Sequence, residues 1–170
     1  MFYNCSSLTE FDLSSFDTSD VKGMEYMFHL CKNLKTVDIS GFDTGKVTTL
    51  RALFYECNNL ETADISSFDT SSVTNMNGMF RNCTDLNTIY VSRLFSTKND
   101  SLTSDKMFTV CKKLIGGNGT VYNSNYVNSA YAVIDTDKIP GYFTEKEMTF
   151  ANAKYLAENN KFEVTVLVSE

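Results

Sequence analysis

The chain has 170 residues, 42% hydrophobic and 21% charged, an ordinary composition for one folded domain with a sizeable core. Its formal charge of −6 and pI near 4.8 argue against nucleic acid as a partner and against adhesion to anionic lipid through a basic patch. The longest apolar runs fall far short of the roughly 18–20 residues that span a bilayer, and the first residues carry no basic region followed by an apolar core. Neither membrane insertion nor an export signal is therefore expected within this chain.

The phrase Met-Phe-x-x-Cys-x-x-Leu organises the first two thirds of the sequence. It occurs at Met1, Phe2, Cys5 and Leu8, and again at Met27, Phe28, Cys31 and Leu34. It returns at Leu53, Phe54, Cys57 and Leu60, at Met79, Phe80, Cys83 and Leu86, and at Met107, Phe108, Cys111 and Leu114. The spacing is 26, 26, 26 and then 28 residues. A fixed period of this size predicts a stacked solenoid, in which each unit buries its apolar face against its neighbours. Met1 and Phe2 stand in register with the middle of the repeat, where a terminal unit would carry a polar cap. The chain thus reads as a piece of a longer array, with any leader or anchor outside it.

Each unit divides into two halves. The first, Leu-x-x-h-x-h, is a short strand: Leu8, Phe11, Leu13; Leu34, Val37, Ile39; Leu60, Ala63, Ile65; Leu86, Ile89, Val91. Alternation sends one set of side chains inward and the other outward, and successive strands should stack in parallel. A turn Ser-x-Phe-Asp-Thr follows at Ser14–Thr18, Ser40–Thr44 and Ser66–Thr70, placing Phe16, Phe42 and Phe68 for an aromatic ladder. The second half is helical by spacing, since Val21, Met24, Met27, Phe28 and Cys31 fall at offsets 0, 3, 6, 7 and 10. Thr18 or Ser19 would cap the helix, and Asn33, Asn59 or Asp85 would end it. The expected fold class is α/β: a repeat solenoid with parallel strands on one face, short helices on the other, and a C-terminal cap.

The fourth unit is degenerate, and Ser96–Ser104 reads as a loop bulging from one flank. The array then gives way at 115–119, Ile-Gly-Gly-Asn-Gly, to aperiodic sequence that should cap the open core. Residues 1–114 form the array, 115–144 the cap, and 145–170 a helix-strand tail that packs on the cap or begins a further domain. In the tail, Thr144 and Glu147 make a capping box for a helix over about 145–158, and Phe162, Val164, Val166 and Val168 alternate as a strand.

Cys5, Cys31, Cys57, Cys83 and Cys111 occupy one phase of the repeat. Stacked turns about 4.8 Å apart place five thiols in a line, all pointing the same way. Tetrahedral zinc needs converging ligands, and a disulfide needs facing Cβ atoms about 3.8 Å apart. The five therefore read as small buried hydrophobes, a structural ladder rather than a metal or redox site. The one histidine, His29, lies at a position filled by Tyr55 and Arg81 in other units, which makes it a poor base for a cysteine nucleophile. Phosphate loops, nucleophile elbows and paired histidine ligands are absent, so no catalytic residue, metal or cofactor is assigned. Asp135 and Asp137 could touch a cation or form a solvated turn.

One feature points outward. Asp12, Asp38, Asp64 and Tyr90 stack at one position, Ser14, Ser40, Ser66 and Ser92 at another, with Glu10, Thr36, Thr62 and Thr88 beside them. Like charges on neighbouring strands repel, so an acidic ladder is tolerated at some cost. It reads either as a surface for a cationic or polyhydroxyl partner, or as a plain solvated face.

The combined phrase Met-Phe-x-x-Cys-x-x-Leu with Asp-Leu/Ile-Ser-x-Phe-Asp-Thr-x-x-Val-x-x-Met resembles the repeat of BspA-like leucine-rich-repeat surface proteins, found mostly in bacteria. The resemblance covers residues 1 to about 114 by repeat, and extends to about 144 through Gly-Gly-Asn-Gly-Thr-Val-Tyr and Pro-Gly-Tyr-Phe-Thr. It implies a secreted or surface-anchored, non-enzymatic module that binds a protein or glycan on host or neighbouring cells. A passive stalk displaying another domain is the alternative. No catalytic residues carry over, and the degenerate fourth unit and the tail depart from the pattern.

Overall fold

In the computed structural model, which describes residues 1–146, the repeats stack one on the next with their strands parallel. The strands are β1 (Glu10–Asp12), β2 (Thr36–Asp38), β3 (Thr62–Asp64), β4 (Thr88–Val91) and β5 (Phe143–Glu145). They form two sheets, β1-β2 and β3-β4-β5. Register follows the repeat: Phe11 pairs with Val37, and Ala63 with Ile89. The inward set Leu13, Val37, Ile39, Ala63, Ile65, Ile89 and Val91 is buried, while the outward residues of β1 and β2 are exposed.

The second half of each unit is not helical. The one helical element among the described residues is a single 3₁₀ turn, Ser129–Tyr131. Over 24–34 the chain instead runs through consecutive turns, with Met27 N–H bonded to Met24 C=O, His29 to Tyr26, Cys31 to Phe28 and Leu34 to Cys31. Between these bonds the remaining amides point along the stack: Met24 N–H reaches Thr49 C=O, Tyr26 reaches Arg51, Phe28 reaches Leu53 and Leu30 reaches Tyr55, at 2.9–3.0 Å. An α-helix would turn every amide back on its own segment. What prevents it is a left-handed residue at Tyr26 (φ 56°) and again at Leu30 (φ 65°), repeated at Ala52 and Glu56, at Gly78 and Asn82, and at Lys106 and Val110. The expected burial stripe is real, with Met24, Met27, Phe28 and Cys31 all inside. Its hydrogen bonds run between repeats rather than within them.

Three internal ladders tie the stack together. Phe2, Phe28, Phe54, Phe80 and Phe108 lie ring over ring at 5.3–6.0 Å with interplanar angles of 4–10°, within the range of favourable aromatic pairs. The sequence placed such a stack at Phe16, Phe42 and Phe68 instead; Phe42 and Phe68 are buried, and Phe16 is 42% exposed. The Thr18, Thr44 and Thr70 hydroxyls, expected as helix caps, are buried and bond to the next repeat. Each donates to a backbone carbonyl there and accepts from the same residue's N–H, at Asp43, Asp69 and Ser96 respectively. The third ladder is made by the cysteines.

Residues 115–146 cover the far end. Phe108 N–H, which in other units would reach the next repeat, reaches Val127 C=O at 3.0 Å. Fully buried Tyr142 and Phe143 set their rings edge-on to Phe108 at 5.2 and 5.9 Å. β5 adds in parallel to β4, with Phe143 opposite Ile89. Glu145, expected to open a helix, ends this strand; the rest of that helix and the strand at 162–168 lie outside the described residues.

Candidate functional site

The outward rows stand where the alternation puts them. Asp12 faces Asp38 across β1-β2, and Asp64 faces Tyr90 across β3-β4. Each Asp uses one oxygen internally: Asp12 Oδ1 accepts from Ser14 N–H (2.9 Å) and Ser14 Oγ–H (2.7 Å), and Asp64 Oδ1 accepts the same pair from Ser66. Asp38 Oδ1 accepts from Ser40 N–H at 3.0 Å. The Asp-x-Ser phrase is therefore first a turn motif, closing each strand by a side-chain bond to the backbone. The Ser14 hydroxyl donor and then its amide hold Asp12 below the usual carboxylate pKa. Ser92, fourth in the serine row, is buried, and its Oγ accepts from Leu94 N–H at 3.3 Å.

Asp64 differs from Asp12 and Asp38 in holding a cation. The Lys146 ammonium, carried in behind β5, forms an ion pair with Asp64 Oδ2. Partial burial opposes the charge of Asp64, but Lys146 and the two Ser66 donors outweigh it and keep the carboxyl below its ordinary value.

Between β2 and β3 the ladder is interrupted. Leu13 N–H bonds to Asp38 C=O (2.8 Å) and Ile65 N–H to Tyr90 C=O (3.0 Å), but the corresponding bond from Ile39 to Asp64 is missing. Gly41, Ser67 and Arg93 share one repeat position, and β4 closes on β3 with Arg93 standing there. A Cβ on Gly41 would stand 1.9 Å from the Ser14 carbonyl oxygen, so only glycine lets the second repeat close on the first. Ser67 holds the equivalent place in the third repeat, and its hydroxyl sits against the Ile39 carbonyl at 3.4 Å. A groove of about 630 Å³ opens over β1 and β2, with Phe11, Val37 and Ile39 as floor, Glu10, Asp12 and Asp38 on the rim, and the Asp64–Lys146 pair as one wall.

The remaining candidates are structural. Cys31 Sγ–H donates to Phe2 C=O, Cys57 to Phe28, Cys83 to Phe54 and Cys111 to Phe80, each at 3.0 Å. Burial raises the pKa of all four, Cys111 to about 12, so the thiolate that a nucleophile or metal ligand requires is suppressed. Cys5 is half-buried at the first repeat. Among the described residues, no group of three or more His, Cys, Asp or Glu could hold a metal ion. His29 stacks on Tyr55 (4.6 Å, 5°) with Tyr3 edge-on at 5.2 Å; burial lowers its pKa, and Glu56 pulls the other way. Together with Arg51 over Tyr26 and Arg81 over Tyr55, it makes an aromatic strip down one flank, where the sequence showed only His29, Tyr55 and Arg81 sharing one repeat position.

Asp135 proves to be a buried knot. Its oxygens accept from Asn118 N–H, Thr120 N–H, Thr120 Oγ1–H and Gly141 N–H, which joins 118–120 to Gly141. Burial disfavours its charge, yet these four donors prevail and keep its pKa below the usual carboxylate value. A carboxylate so satisfied holds this segment together and has little capacity left for a cation.

The repeat pattern with this geometry can be set against known families. A family model described as Mycoplasma protein of unknown function, DUF285, matches residues 1–116 and, in a second overlapping alignment, 30–138. The chain belongs to the DUF285 family. No curated protein and no solved structure matches it. The two DUF285 matches together span all five copies of the phrase and reach into the segment beyond Leu114. No helix among the described residues is long and apolar enough to cross a membrane.

Proposed function

We propose that this DUF285 chain is a non-enzymatic, secreted or cell-surface module of the BspA-like leucine-rich-repeat type that binds a protein or glycan through the outward face of its strands. In this reading the parallel stack is a solenoid, the segment after Leu114 is its cap, and the inner ladders are scaffold. The observation that carries it is the groove over β1 and β2, where carboxylates on neighbouring strands are held in register above an apolar floor. Neighbouring carboxylates repel, and the fold retains them on an exposed surface. The buried thiols and the four donors on Asp135 support reading these groups as scaffold.

The test is a binding screen of the full chain against immobilised matrix proteins and a glycan array, repeated with Asp12→Asn, Asp38→Asn and Asp64→Asn combined. Selective capture that the triple variant loses supports the module. A silent screen removes it. The second reading, a passive stalk, is favoured by the continuous thiol, threonine and phenylalanine ladders; it requires that the triple variant leave attachment of the host cell unchanged.

A further inference from the structure

Ile39 is 1% exposed, and its N–H has no hydrogen-bond partner among the described residues. Buried amides without a partner are rare in folded proteins, because a group taken from water without a replacement bond disfavours folding. This one lines the groove. The Asp64 carbonyl, which by the pattern of the neighbouring repeats would accept from it, makes no such bond. The break in the ladder therefore leaves a backbone donor beside an apolar floor, under a rim of Glu10, Asp12 and Asp38.

We propose that the groove over β1 and β2, walled by the Asp64–Lys146 pair, receives an extended segment of a partner polypeptide bearing lysine or arginine side chains. Three features select that occupant. A peptide backbone supplies a carbonyl for the Ile39 N–H, which a hydrocarbon chain does not. The floor of Phe11, Val37 and Ile39 takes apolar side chains or the methylene stems of lysine, while the carboxylates above take the cationic heads. The protein also carries an intramolecular example, since the Lys146 ammonium sits on Asp64, the third rung, while no ion pair joins Asp12 or Asp38 to a cation of the described residues. An acidic or neutral segment would leave the rim carboxylates facing one another without a counter-charge.

This inference rests on the outward face being a binding surface, and the experiment separates the two. Fluorescently labelled Lys-Val, Glu-Val and Ser-Val alternating octapeptides are titrated into the full chain by polarisation, with amide chemical shifts recorded in parallel. The expected result is binding of the Lys-Val peptide about tenfold or more tighter than the Ser-Val peptide, none of the Glu-Val peptide, and a shift of the Ile39 amide. Asp12→Asn with Asp38→Asn should remove the preference without lowering the unfolding midpoint. Equal binding of the three peptides, or an Ile39 amide that does not move, overturns the proposal. Capture of a matrix protein or glycan unaffected by Asp38→Asn and by excess Lys-Val peptide overturns it while leaving the surface-module reading standing. Tight Lys-Val binding alongside a silent matrix and glycan screen upholds the groove and removes the adhesive reading.

Discussion

Phe54→Ala is the sharpest probe of the stack. The ring is 0% exposed and lies between Phe28 at 5.3 Å and Phe80 at 5.6 Å, nearly parallel to both. Truncating a buried phenylalanine costs about 3–5 kcal/mol through lost transfer energy and the cavity left behind. The two stacked neighbours place this site at the upper end, since an aromatic pair adds about 0.5–1.5 kcal/mol beyond area alone. Phe2 is the control: the same residue in the same phase, half-buried, with its one parallel neighbour at 5.7 Å. Phe2→Ala should lose about 1–2 kcal/mol, because less apolar surface leaves water on folding. Equilibrium urea unfolding followed by tyrosine fluorescence reports both, as the chain has nine tyrosines and no tryptophan. A Phe54→Ala effect below about 1 kcal/mol, or one equal to that of Phe2→Ala, would refute a continuous ring stack through the core.

The thiols give a second check: a thiol reagent at mildly alkaline pH should modify Cys5 first and leave Cys57, Cys83 and Cys111 untouched until denaturant is added, and rapid modification of all five would show the cysteine ladder misplaced. Asp135→Asn should cost about 1.5–3 kcal/mol, the range for hydrogen bonds to a charged group, because an amide cannot accept the four donors as the carboxylate does. Since the folded pKa of Asp135 lies below its unfolded value near 3.9, its contribution is fully present above about pH 4 and is lost as pH falls through the folded value. Acid titration of stability should therefore be shallower in Asp135→Asn than in the parent chain, and identical slopes would contradict the assignment. Gly41→Ala should cost about 1–3 kcal/mol by forcing the first two repeats apart, and a neutral result would dismiss the close approach to Ser14.

How far the sequence foretold this structure can be traced in a few residues. Phe11, Val37, Ala63 and Ile89 alternate with polar neighbours, and two-residue periodicity specifies both the strand and its inward face. The cysteines were legible because a fixed phase in a stack implies a fixed environment. The helices were not, because spacing reports which residues are buried and is silent on where their amides point. Consecutive turns with left-handed residues bury the same offsets as a helix. The available hint was Gly78, with Asn4 and Asn82 at the other left-handed position, residue types that tolerate positive φ where an amphipathic helix has no use for them. The outward Asp row was found by register, but its Asx bonds to serine and the open ladder beside Ser67 depend on three-dimensional closeness between repeats. Asp135 looked like a turn carboxylate because Asn118, Thr120 and Gly141, which bury it, are scattered along an aperiodic segment.

The division between an inner scaffold and an outer working face is tested most directly by immobilising whatever matrix protein or glycan the screen captures and measuring the affinity of three chains. These are the parent, Asp12→Asn with Asp38→Asn on the strand face, and Arg51→Ala with Tyr55→Ala on the aromatic flank. The face variant should bind about tenfold or more weakly at an unchanged unfolding midpoint, with the flank variant equal to the parent. Undiminished binding by the face variant, or loss confined to the flank variant, would contradict it.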